Sequence, residues 1–398
     1  MDDNNGSEIA IHTRFLSMST VDQLFQASFA ASPGVITSAP GRVEIIGNHT
    51  DYNGGTVVGA CIERRLHIAL SLRSDSAIRL VSSTQRALVE TTLEAYSSED
   101  VADWARYPLG VFDEFRIQFG ASTGFDLAVT SDIPTGEGLS SSAAIELATA
   151  LALYELLGLD LPVSALVGLS HRAENRFVGV PCGLLDQSTV GFGKRNALVV
   201  LDAASGRHHN FTMPSGHNLF VFRTHIRHEL QHSPYEQRHK ECRNALVALN
   251  QVIPGTRHLA HLHPLDIAAY DVIMDSVVAR RAQHVVDEQR RVGLFLKHLL
   301  EGDMRAAGQL LTASHKSSKE LFENSTPELD FLVDGLNQFP HVLGARLSGA
   351  GWGGAVLALT TSSFTSEDAN RMADAYEATF DARSHWWATQ IGDGARVE

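Results

Sequence analysis

The sequence predicts a globular protein of two domains in which strands and helices are mixed. Its 398 residues are enough for two ordinary domains with a substantial core. From Val35 onward, strand-favouring residues alternate with Gly, Asn and Asp, as in strands joined by tight turns. The second half contains long amphipathic stretches at residues 272–300 and 304–319, which are typical of helices that cover a sheet. A turn at residues 202–206 marks the expected boundary. The predicted domains are residues 1–203 and 204–398.

Short apolar runs and periodic apolar stretches predict the individual elements. A weak helical pattern at residues 21–31 precedes the first strands. Apolar runs bounded by turn residues predict strands, and Ala- and Leu-rich or amphipathic stretches predict helices. After the strands in residues 35–62, the predicted strands are residues 66–72, 77–82, 125–130, 197–201 and 219–224. The predicted helices are residues 104–119, 143–159 and 164–177, one that begins at Pro234, and the two long stretches of the second half.

Composition and charge restrict the class of function. The formal net charge of −14 argues against nucleic acid or an anionic membrane as a partner, because both favour a basic surface. A small phosphorylated ligand needs only local donors and stays open. No apolar run of about 18 residues predicts a membrane-spanning helix. The acidic stretch MDDNNGSEIAIHTRF lacks the apolar core of a secretory signal, and three widely spaced cysteines suit reduced thiols. We therefore expect a cytoplasmic protein.

The stretch IPTGEGLSSSAAIELATA, residues 133–150, has the properties of a phosphate-binding loop. It follows a predicted strand, contains Gly136 and Gly138, and has serines at positions 140–142, where a buried helix begins. The first N–H groups of a helix have no partner within the helix, and the helix dipole adds positive charge there. Glycines also let an anion approach the backbone closely. The loop is therefore predicted to hold phosphate; the alternative is a serine-capped turn with no ligand.

Two better-known phosphate loops fit this stretch less well. The P-loop pattern ends in Lys followed by Ser or Thr, and no lysine precedes Lys194 in this chain. The dinucleotide-binding pattern requires a third glycine where this chain has Ser141, and no obvious strand-end acid follows about 20 residues later. Neither a P-loop nucleotide hydrolase nor a dinucleotide-binding protein is predicted.

Polar residues in apolar or glycine-rich surroundings mark the other candidate positions. Asp186 is flanked by leucines and glycines, and because an unpartnered buried carboxylate is costly, this acid either caps a segment or takes part in chemistry. Residues 344–360 form a second glycine-rich turn that leads into a strand. Histidines of the second half lack Cys or carboxylates at ligand spacing, so they are not predicted to bind metal. Five further polar residues lie beside glycines in the first strand region, where a solvated turn is the alternative: Arg42, Glu44, Asn48, His49 and Asp51.

Three segments with glycine-rich or polar turns stand in order along the chain: PGRVEIIGNHTDYNGG (residues 40–55), PTGEGLSSSAA (134–144) and RLSGAGWGGA (346–355). Together they resemble the signatures of the GHMP small-molecule kinases, and the first is similar to the galactokinase branch in particular. A single glycine loop is a weak signal, whereas seven segments in the family's order are a strong one. The resemblance extends over essentially the whole chain. The four further segments that resemble galactokinases are GVPCGLLDQ (179–187), SPYEQRHKEC (233–242), RRAQHVVDE (280–288) and SHKSSKE (314–320).

The resemblance implies an α+β protein of two domains with the active site in the cleft between them. The N-terminal domain would have the ribosomal-protein-S5-like arrangement and the C-terminal domain a ferredoxin-like α+β arrangement. The implied reaction is phosphorylation of the anomeric hydroxyl of galactose by ATP with Mg²⁺, in a protein that is a monomer or a weak dimer. Phosphoryl transfer has a loose transition state, so catalysis depends mainly on alignment and charge neutralisation.

The functional residues of the family carry over onto matching positions of this chain. Asp186 would face the anomeric hydroxyl, taking its proton or orienting it, and Arg42 beside it would counter charge on the transferring phosphoryl group. Ser142 and Glu174 would offer Mg²⁺ the hard oxygen ligands that it prefers. The residues implied to bind the sugar are Asn48, His49, Asp51, Gly183 and Tyr235. Those implied to hold the phosphates of ATP are Gly136, Glu137, Gly138, Leu139, Ser140, Ser141 and Ser142.

The sugar-binding signature departs from the usual galactokinase pattern at two positions. Galactokinases usually carry Glu where this chain has Asn48, and Asn where it has Glu44. In the family, that glutamate reaches the primary hydroxyl of the sugar. Asn48 can still donate or accept one hydrogen bond there, but it does not repel a carboxylate. Galacturonic acid, which carries a carboxylate at that carbon, is therefore an alternative substrate to galactose.

Two other classes of function are weighed against a sugar kinase. A sensor that binds sugar and ATP without turnover would be expected to have lost part of the serine loop, the metal pair or the acid, and this chain retains them all. Mevalonate-type and homoserine-type kinases do not explain the NHTDYNGG segment together with Tyr235. The sequence therefore predicts an active sugar 1-kinase.

Overall fold

The structure of the protein, a computed structural model, describes residues 20–84, 87–134, 136, 138–226, 234–270 and 273–398. Its first part is built on a large sheet with helices packed against it. The strands there are β1 (Val35–Ile46), β2 (Thr56–Leu72), β3 (Ala77–Ser82), β4 (Ala87–Thr92), β5 (Phe125–Ser131), β6 (Ala197–Asp202) and β7 (Arg207–Thr212). The helices are α1 (Val21–Phe29), α2 (Asp103–Phe119), α3 (Ser141–Leu156), α4 (Val163–Ala173), which continues into a π-helical turn at Glu174–Val178, and α5 (Leu185–Phe192).

The long strand β2 organises this sheet. β1 runs antiparallel to it, β5 pairs with its C-terminal half, and β6 pairs with its first residues. β3 lies parallel to β5 and antiparallel to β4, and β7 pairs with β6. Helix α3 is buried along most of its length and packs against β1, β2, α2 and α4. This burial holds the N-terminus of α3, and with it the serine loop, against the first strands.

The second part contains a four-stranded antiparallel sheet covered by helices. Its strand order is β11-β8-β10-β9. The strands are β8 (His217–Arg223), β9 (Val342–Ser348), β10 (Ala355–Thr361) and β11 (Trp386–Thr389), while β12 (Arg396–Val397) returns to pair with β1. The helices are α6 (Pro234–Val252), α7 (Pro264–Tyr270), α8 (Ser276–Glu301), α9 (Met304–Ser317), which continues into a π-helical turn at Ser318–Phe322, α10 (Pro327–Leu336) and α11 (Ser366–Phe380).

The predicted α+β class is confirmed, and the differences from the predicted elements have local causes. Strand β4 occupies a stretch that the sequence predicts to be a polar connection. It lies at the edge of the sheet, where it pairs with β3. Helix α8 begins at Ser276, where the Asp275 side chain accepts the N–H of Val277; the predicted start at Val272 lies outside the described residues. Hairpin β6–β7 continues the first sheet to Thr212. The predicted division at residue 203 stays a prediction.

None of the helices in the described ranges combines the length and the apolar character that crossing a bilayer requires.

Candidate active site

A cavity of about 820 Å³ is lined by residues of both domains and contains most of the predicted site residues. Arg42, Ser142, Glu174 and Asp186, which are distant along the chain, all line it. Glu137 lies outside the described residues. The other predicted residues that line the cavity are Asn48, His49, Asp51, Gly136, Gly138, Leu139, Ser140, Ser141, Gly183 and Tyr235.

Asp186, in the first turn of α5, forms an ion pair with Arg42 of β1. Its Oδ1 atom lies 2.7 Å from Nε and 2.6 Å from Nη2 of Arg42. Its Oδ2 atom accepts a hydrogen bond from the Ser140 hydroxyl. Arg42 also donates from Nη1 to the Gly138 carbonyl and from its backbone N–H to the Leu139 carbonyl, at 3.0 Å. The acid, the guanidinium and the serine loop therefore form one connected unit.

The serine loop presents the N-terminus of α3 to the cavity. Gly136 and Gly138 have φ values of 73° and 70°, in the left-handed region that favours glycine. Ser140 stands at the N-cap position, but its side chain does not cap the helix because it donates to Asp186 instead. The first N–H groups of α3 therefore keep their capacity to bind an anion. This disfavours the alternative of a serine-capped turn.

Leu139 can contribute to the loop only through its backbone. Its side chain is buried in the largest hydrophobic cluster, which includes residues of both domains, and its carbonyl already accepts the N–H of Arg42. The predicted contact with phosphate is thus limited to its N–H group.

Ser142 and Glu174 lie together at the same end of the cavity, with the Ser142 hydroxyl hydrogen-bonded to the carboxylate. Burial raises the pKa of Glu174 to about 7, and the negative charge of Asp186 adds to this shift. Gln187 Nε2 and, at 3.2 Å, Cys182 Sγ donate to Glu174 Oε2. A buried carboxylate surrounded by neutral donors and another carboxylate favours a cation beside it.

The donor set fits Mg²⁺ better than a metal held by protein ligands alone. Within the described ranges, no group of three or more His, Cys, Asp or Glu side chains is arranged to hold a metal ion. One carboxylate and one hydroxyl suit an ion that takes its remaining ligands from phosphate oxygens and water, as Mg²⁺ usually does.

Glu44 brings a carboxylate to the part of the cavity where the sugar is expected. The residue is 3% exposed, and its Oε1 atom lies 2.9 Å from Nη2 of Arg346, which is fully buried. Burial raises the pKa of Glu44, against the opposing effect of the Arg346 guanidinium. Among the residues that the structure describes, its Oε2 atom accepts one long hydrogen bond, 3.4 Å, from Asn48 Nδ2. One oxygen of Glu44 therefore remains available to accept a hydrogen bond from a ligand.

The Asn48 amide is occupied by partners within the protein. Its Nδ2 group donates to Glu44 Oε1 at 3.1 Å and to the Gly349 carbonyl at 2.8 Å. Its Oδ1 atom accepts from Ser318 Oγ at 3.0 Å and Asn324 Nδ2 at 2.9 Å. An amide has two donor hydrogens and two acceptor lone pairs, so these contacts use its full capacity. Direct contact of Asn48 with the sugar stays a prediction, which these contacts disfavour.

His49 is similarly engaged. Its Nε2 atom lies 3.0 Å from the Ala350 carbonyl and its Nδ1 atom 2.9 Å from the Tyr52 hydroxyl. Its ring stacks on Phe322 with centroids 4.3 Å apart. Burial lowers the pKa of His49 well below its ordinary value, so the imidazole is neutral near pH 7. These contacts favour a role for His49 in shaping the pocket over direct binding of sugar hydroxyls, which stays a prediction.

Asp51 and Gly183 form a second acidic side of the same pocket. Asp51 accepts the N–H of Tyr52 at 2.9 Å, and burial raises its pKa to about 6, with Glu44 and Asp186 adding repulsion. A Cβ at position 183 would overlap the Asp51 carboxylate, so only glycine leaves room for this side chain. Tyr235, in the first turn of α6, lies beside the pocket with its ring 5.6 Å from that of His49.

Sequence reasoning missed three features of the site. Arg346 reaches Glu44 across about 300 residues of chain, and no spacing rule links the two. Ser140 donates a hydrogen bond to Asp186, whereas its position in the loop predicts a contact with phosphate. Arg106 and Tyr107 of α2 also line the cavity, although the sequence of their segment predicts a helix without indicating a site.

Three protein families match the chain in order. The galactokinase galactose-binding signature matches residues 23–72, the GHMP kinases N terminal domain matches residues 106–194, and the GHMP kinases C terminal family matches residues 295–382. These matches contain the Arg42 to Asp51 segment, the serine loop with Asp186, and the glycine-rich turn before β10, respectively.

Relatives of similar length are named galactokinases. The chain is 35% identical to one from Staphylococcus saprophyticus, over 94% of this chain and 98% of the relative. It is 33% identical to one from Bacillus subtilis, over 94% and 97%. A solved structure of Lactococcus lactis galactokinase complexed with galactose matches with a TM-score of 0.90 and 30% identity, over 94% and 98%. A mevalonate kinase with 18% identity and a TM-score of 0.64 shares the fold. The chain belongs to the galactokinase family of the GHMP kinases.

Proposed function

We propose that this protein is an ATP-dependent galactokinase, which transfers the terminal phosphoryl group of ATP to the anomeric hydroxyl of galactose. The observation that carries the proposal is the connected unit of Asp186, Arg42 and the serine loop, which lies between the anion-binding end of α3 and the acidic sugar pocket. The named relatives and the galactose complex of the solved neighbour support the same substrate.

Each side chain of the unit has a distinct role in the proposed reaction. Asp186 receives or orients the proton of the attacking hydroxyl, because it lies in the cavity with both oxygens fixed by Arg42 and Ser140. Arg42 has further donor capacity directed at the loop and counters charge on the transferring phosphoryl group. The free N–H groups of α3 hold the phosphates. This arrangement aligns the two substrates without a covalent intermediate.

Ser142 and Glu174 are the residues that we propose to hold Mg²⁺. When bound, the ion supplies charge neutralisation to the phosphates of ATP. The support is the buried Glu174 carboxylate, whose pKa is raised to about 7 by burial and by the charge of Asp186, so that a cation beside it would be stabilising.

Galactose is favoured over galacturonate by the charge of the sugar pocket. Asn48 does not itself repel a carboxylate, but Glu44 and Asp51 both line the cavity at this end. A sugar carboxylate entering between them would meet two acids, and the guanidinium of Arg346 is already paired with Glu44. A neutral hydroxyl, in contrast, can donate to Glu44 Oε2, which accepts one long hydrogen bond, 3.4 Å, from Asn48.

A coupled assay for ADP release tests the proposal. Purified protein with ATP and Mg²⁺ should release ADP with galactose, and much less with galacturonate, N-acetylgalactosamine or glucose. Galacturonate preferred by tenfold or more would favour the alternative sugar. Galactose binding in calorimetry without any ADP release would identify a sensor. The cytoplasmic location and the monomeric or weakly dimeric state stay predictions of the sequence.

A further inference from the structure

Helix α8 of the second domain contacts the backbone of the turn Gly47–Asn48–His49 in the first domain. Glu288 Oε1 accepts the N–H of Gly47 at 3.0 Å and that of Asn48 at 3.1 Å. His284, one helical turn earlier, has its Nε2 atom 3.1 Å from the Asn48 carbonyl oxygen. Both side chains are completely buried. Two residues of α8 therefore engage the donors and the acceptor of the same short turn.

Glu288 is held rigidly as an ionised acceptor. Ser314 Oγ donates to its Oε1 atom at 2.6 Å, and Arg291 Nε donates to its Oε2 atom at 2.6 Å. Burial alone would raise its pKa, but the guanidinium groups of Arg291 and Arg346 lower the pKa of Glu288 to about 2. Charged acceptors form stronger hydrogen bonds to backbone N–H groups than neutral ones do. The turn is thus attached to a fixed negative charge.

His284 has one tautomer that satisfies all its contacts. A carbonyl oxygen only accepts, so the hydrogen must be on Nε2, and Nδ1 then accepts from Ser317 Oγ at 2.9 Å. Burial lowers the pKa of His284 to about 4, which keeps the ring neutral. The imidazole is therefore a directed donor to the Asn48 carbonyl.

The turn needs such support because its backbone is unusual. Gly47 has φ 108° and His49 has φ 60°, a conformation that residues with a side chain rarely adopt. The same turn carries the Asn48 side chain that hydrogen-bonds Glu44 and the Gly349 carbonyl. A small rotation of the turn would move the sugar side of the cavity, whereas the serine loop is held separately by Arg42.

We propose that Glu288 and His284 are positioning residues that set the affinity of the site for the sugar from the second domain, without touching either substrate. The inference rests on the proposed galactokinase function and adds a determinant of sugar affinity outside the cavity lining. It explains why a helix remote from the phosphates carries two buried polar groups directed at the backbone of one turn.

The test compares Glu288→Gln with Glu114→Gln by calorimetry and steady-state kinetics on the full chain. Glu114 is a matched control, because it is also a buried carboxylate paired with an arginine, Arg172, but lies on α2. Gln offers one acceptor oxygen, so it cannot serve both the turn and Arg291. We expect Glu288→Gln to weaken galactose binding on the order of tenfold. ATP binding and the kcat at saturating galactose should change less than about threefold.

A second pair keeps the inference testable if Glu288→Gln does not fold. Gln can place a donor near the position of the histidine Nε2 atom, so His284→Gln should retain more galactose affinity than His284→Ala. Equal weakening of galactose and ATP binding, or the same loss in Glu114→Gln, would mean a merely structural role and overturn the inference. A wild-type protein that binds ATP but not galactose would instead contradict the proposed function itself.

Discussion

The phosphate end and the sugar end of the cavity are constructed in different ways. The phosphate end comes from one short stretch of the chain, of which residues 136 and 138–142 line the cavity at the N-terminus of the buried helix α3. The sugar end is assembled from side chains of both domains, in which Glu44 meets Arg346 and Asn48 meets Ser318 and Asn324. A continuous loop binds through backbone groups and needs glycine where its backbone is left-handed, at Gly136 and Gly138. A network of side chains decides which donors and acceptors remain for the ligand.

The largest expected effect concerns the unit that joins the two ends. Asp186→Asn and Arg42→Ala should each lower kcat by roughly 10²-fold or more, because one removes the proton acceptor and the other a charge-stabilising group. Steady-state kinetics with galactose and ATP measure this. Galactose binding in calorimetry serves as the control for an intact sugar pocket, and near-normal turnover in both variants would show that these roles are wrongly assigned.

The second-largest expected effect is a change at Glu44 that should weaken binding of the sugar and leave binding of ATP nearly unchanged. Glu44→Gln should raise the KM for galactose on the order of tenfold, because a charged acceptor is replaced by a neutral one and Arg346 loses its partner. The KM for ATP should change little. The ratio of kcat/KM for galactose to that for galacturonate should also fall, since one repulsive carboxylate is gone. An unchanged ratio would exclude Glu44 as the residue that rejects the acidic sugar.

A smaller effect tests the metal assignment at the phosphate end. Ser142→Ala should raise the Mg²⁺ concentration needed for half-maximal activity several-fold, on the order of 3- to 10-fold, because one oxygen ligand is lost. Ser140→Ala is the matched control, since its hydroxyl donates to Asp186 and its loss should lower kcat without changing the Mg²⁺ requirement. Titration of Mg²⁺ in the ADP assay distinguishes them, and equal Mg²⁺ curves would contradict the pair Ser142 and Glu174.

The smallest effect is the pH dependence of the sugar end. Asp51 has a pKa raised from 3.8 to about 6, so it is ionised above pH 6 and takes up a proton below it. An ionised carboxylate accepts hydrogen bonds from sugar hydroxyls at both oxygens, so kcat/KM for galactose should fall as the pH falls through about 6. Asp51→Asn should remove this step from the profile. A step that persists in Asp51→Asn would assign it to another group.

The raised pKa of Asp51 affects stability and sugar binding in opposite directions: as the pH rises, sugar binding should strengthen and the free energy of unfolding should fall. Because the pKa of Asp51 is raised by folding, the folded chain binds more protons than the unfolded chain between about pH 3.8 and pH 6. Asp51 therefore favours the folded state most at low pH and loses that contribution as the pH rises through 6. An acid that is destabilising at neutral pH and lines the cavity fits a role in binding better than a role in stability.

Much of the fold and of the phosphate end could be predicted from local patterns. Strand β3 and the buried helix α3 follow from apolar periodicity, and the glycines and serines of the loop predict an anion site. Strand β4 could not be predicted in this way, because its pairing with β3 decides its conformation. Asp186 was identified because a charged residue in an apolar segment requires a partner, and that partner is Arg42.

The sequence by itself determined the α+β class, and the resemblance of its motifs pointed to the phosphate loop, the acid Asp186 and the guanidinium of Arg42 that we propose for the reaction. Only the tertiary structure decided how the sugar end works. The resemblance assigns Asn48 to the sugar, but its amide is used up by Glu44, Gly349, Ser318 and Asn324. Glu44 Oε2, which accepts one long hydrogen bond from Asn48, keeps capacity to accept another from a ligand. The physical reason is that a side chain has a limited number of hydrogen bonds. How many remain for a ligand depends on neighbours that lie hundreds of residues away in the chain.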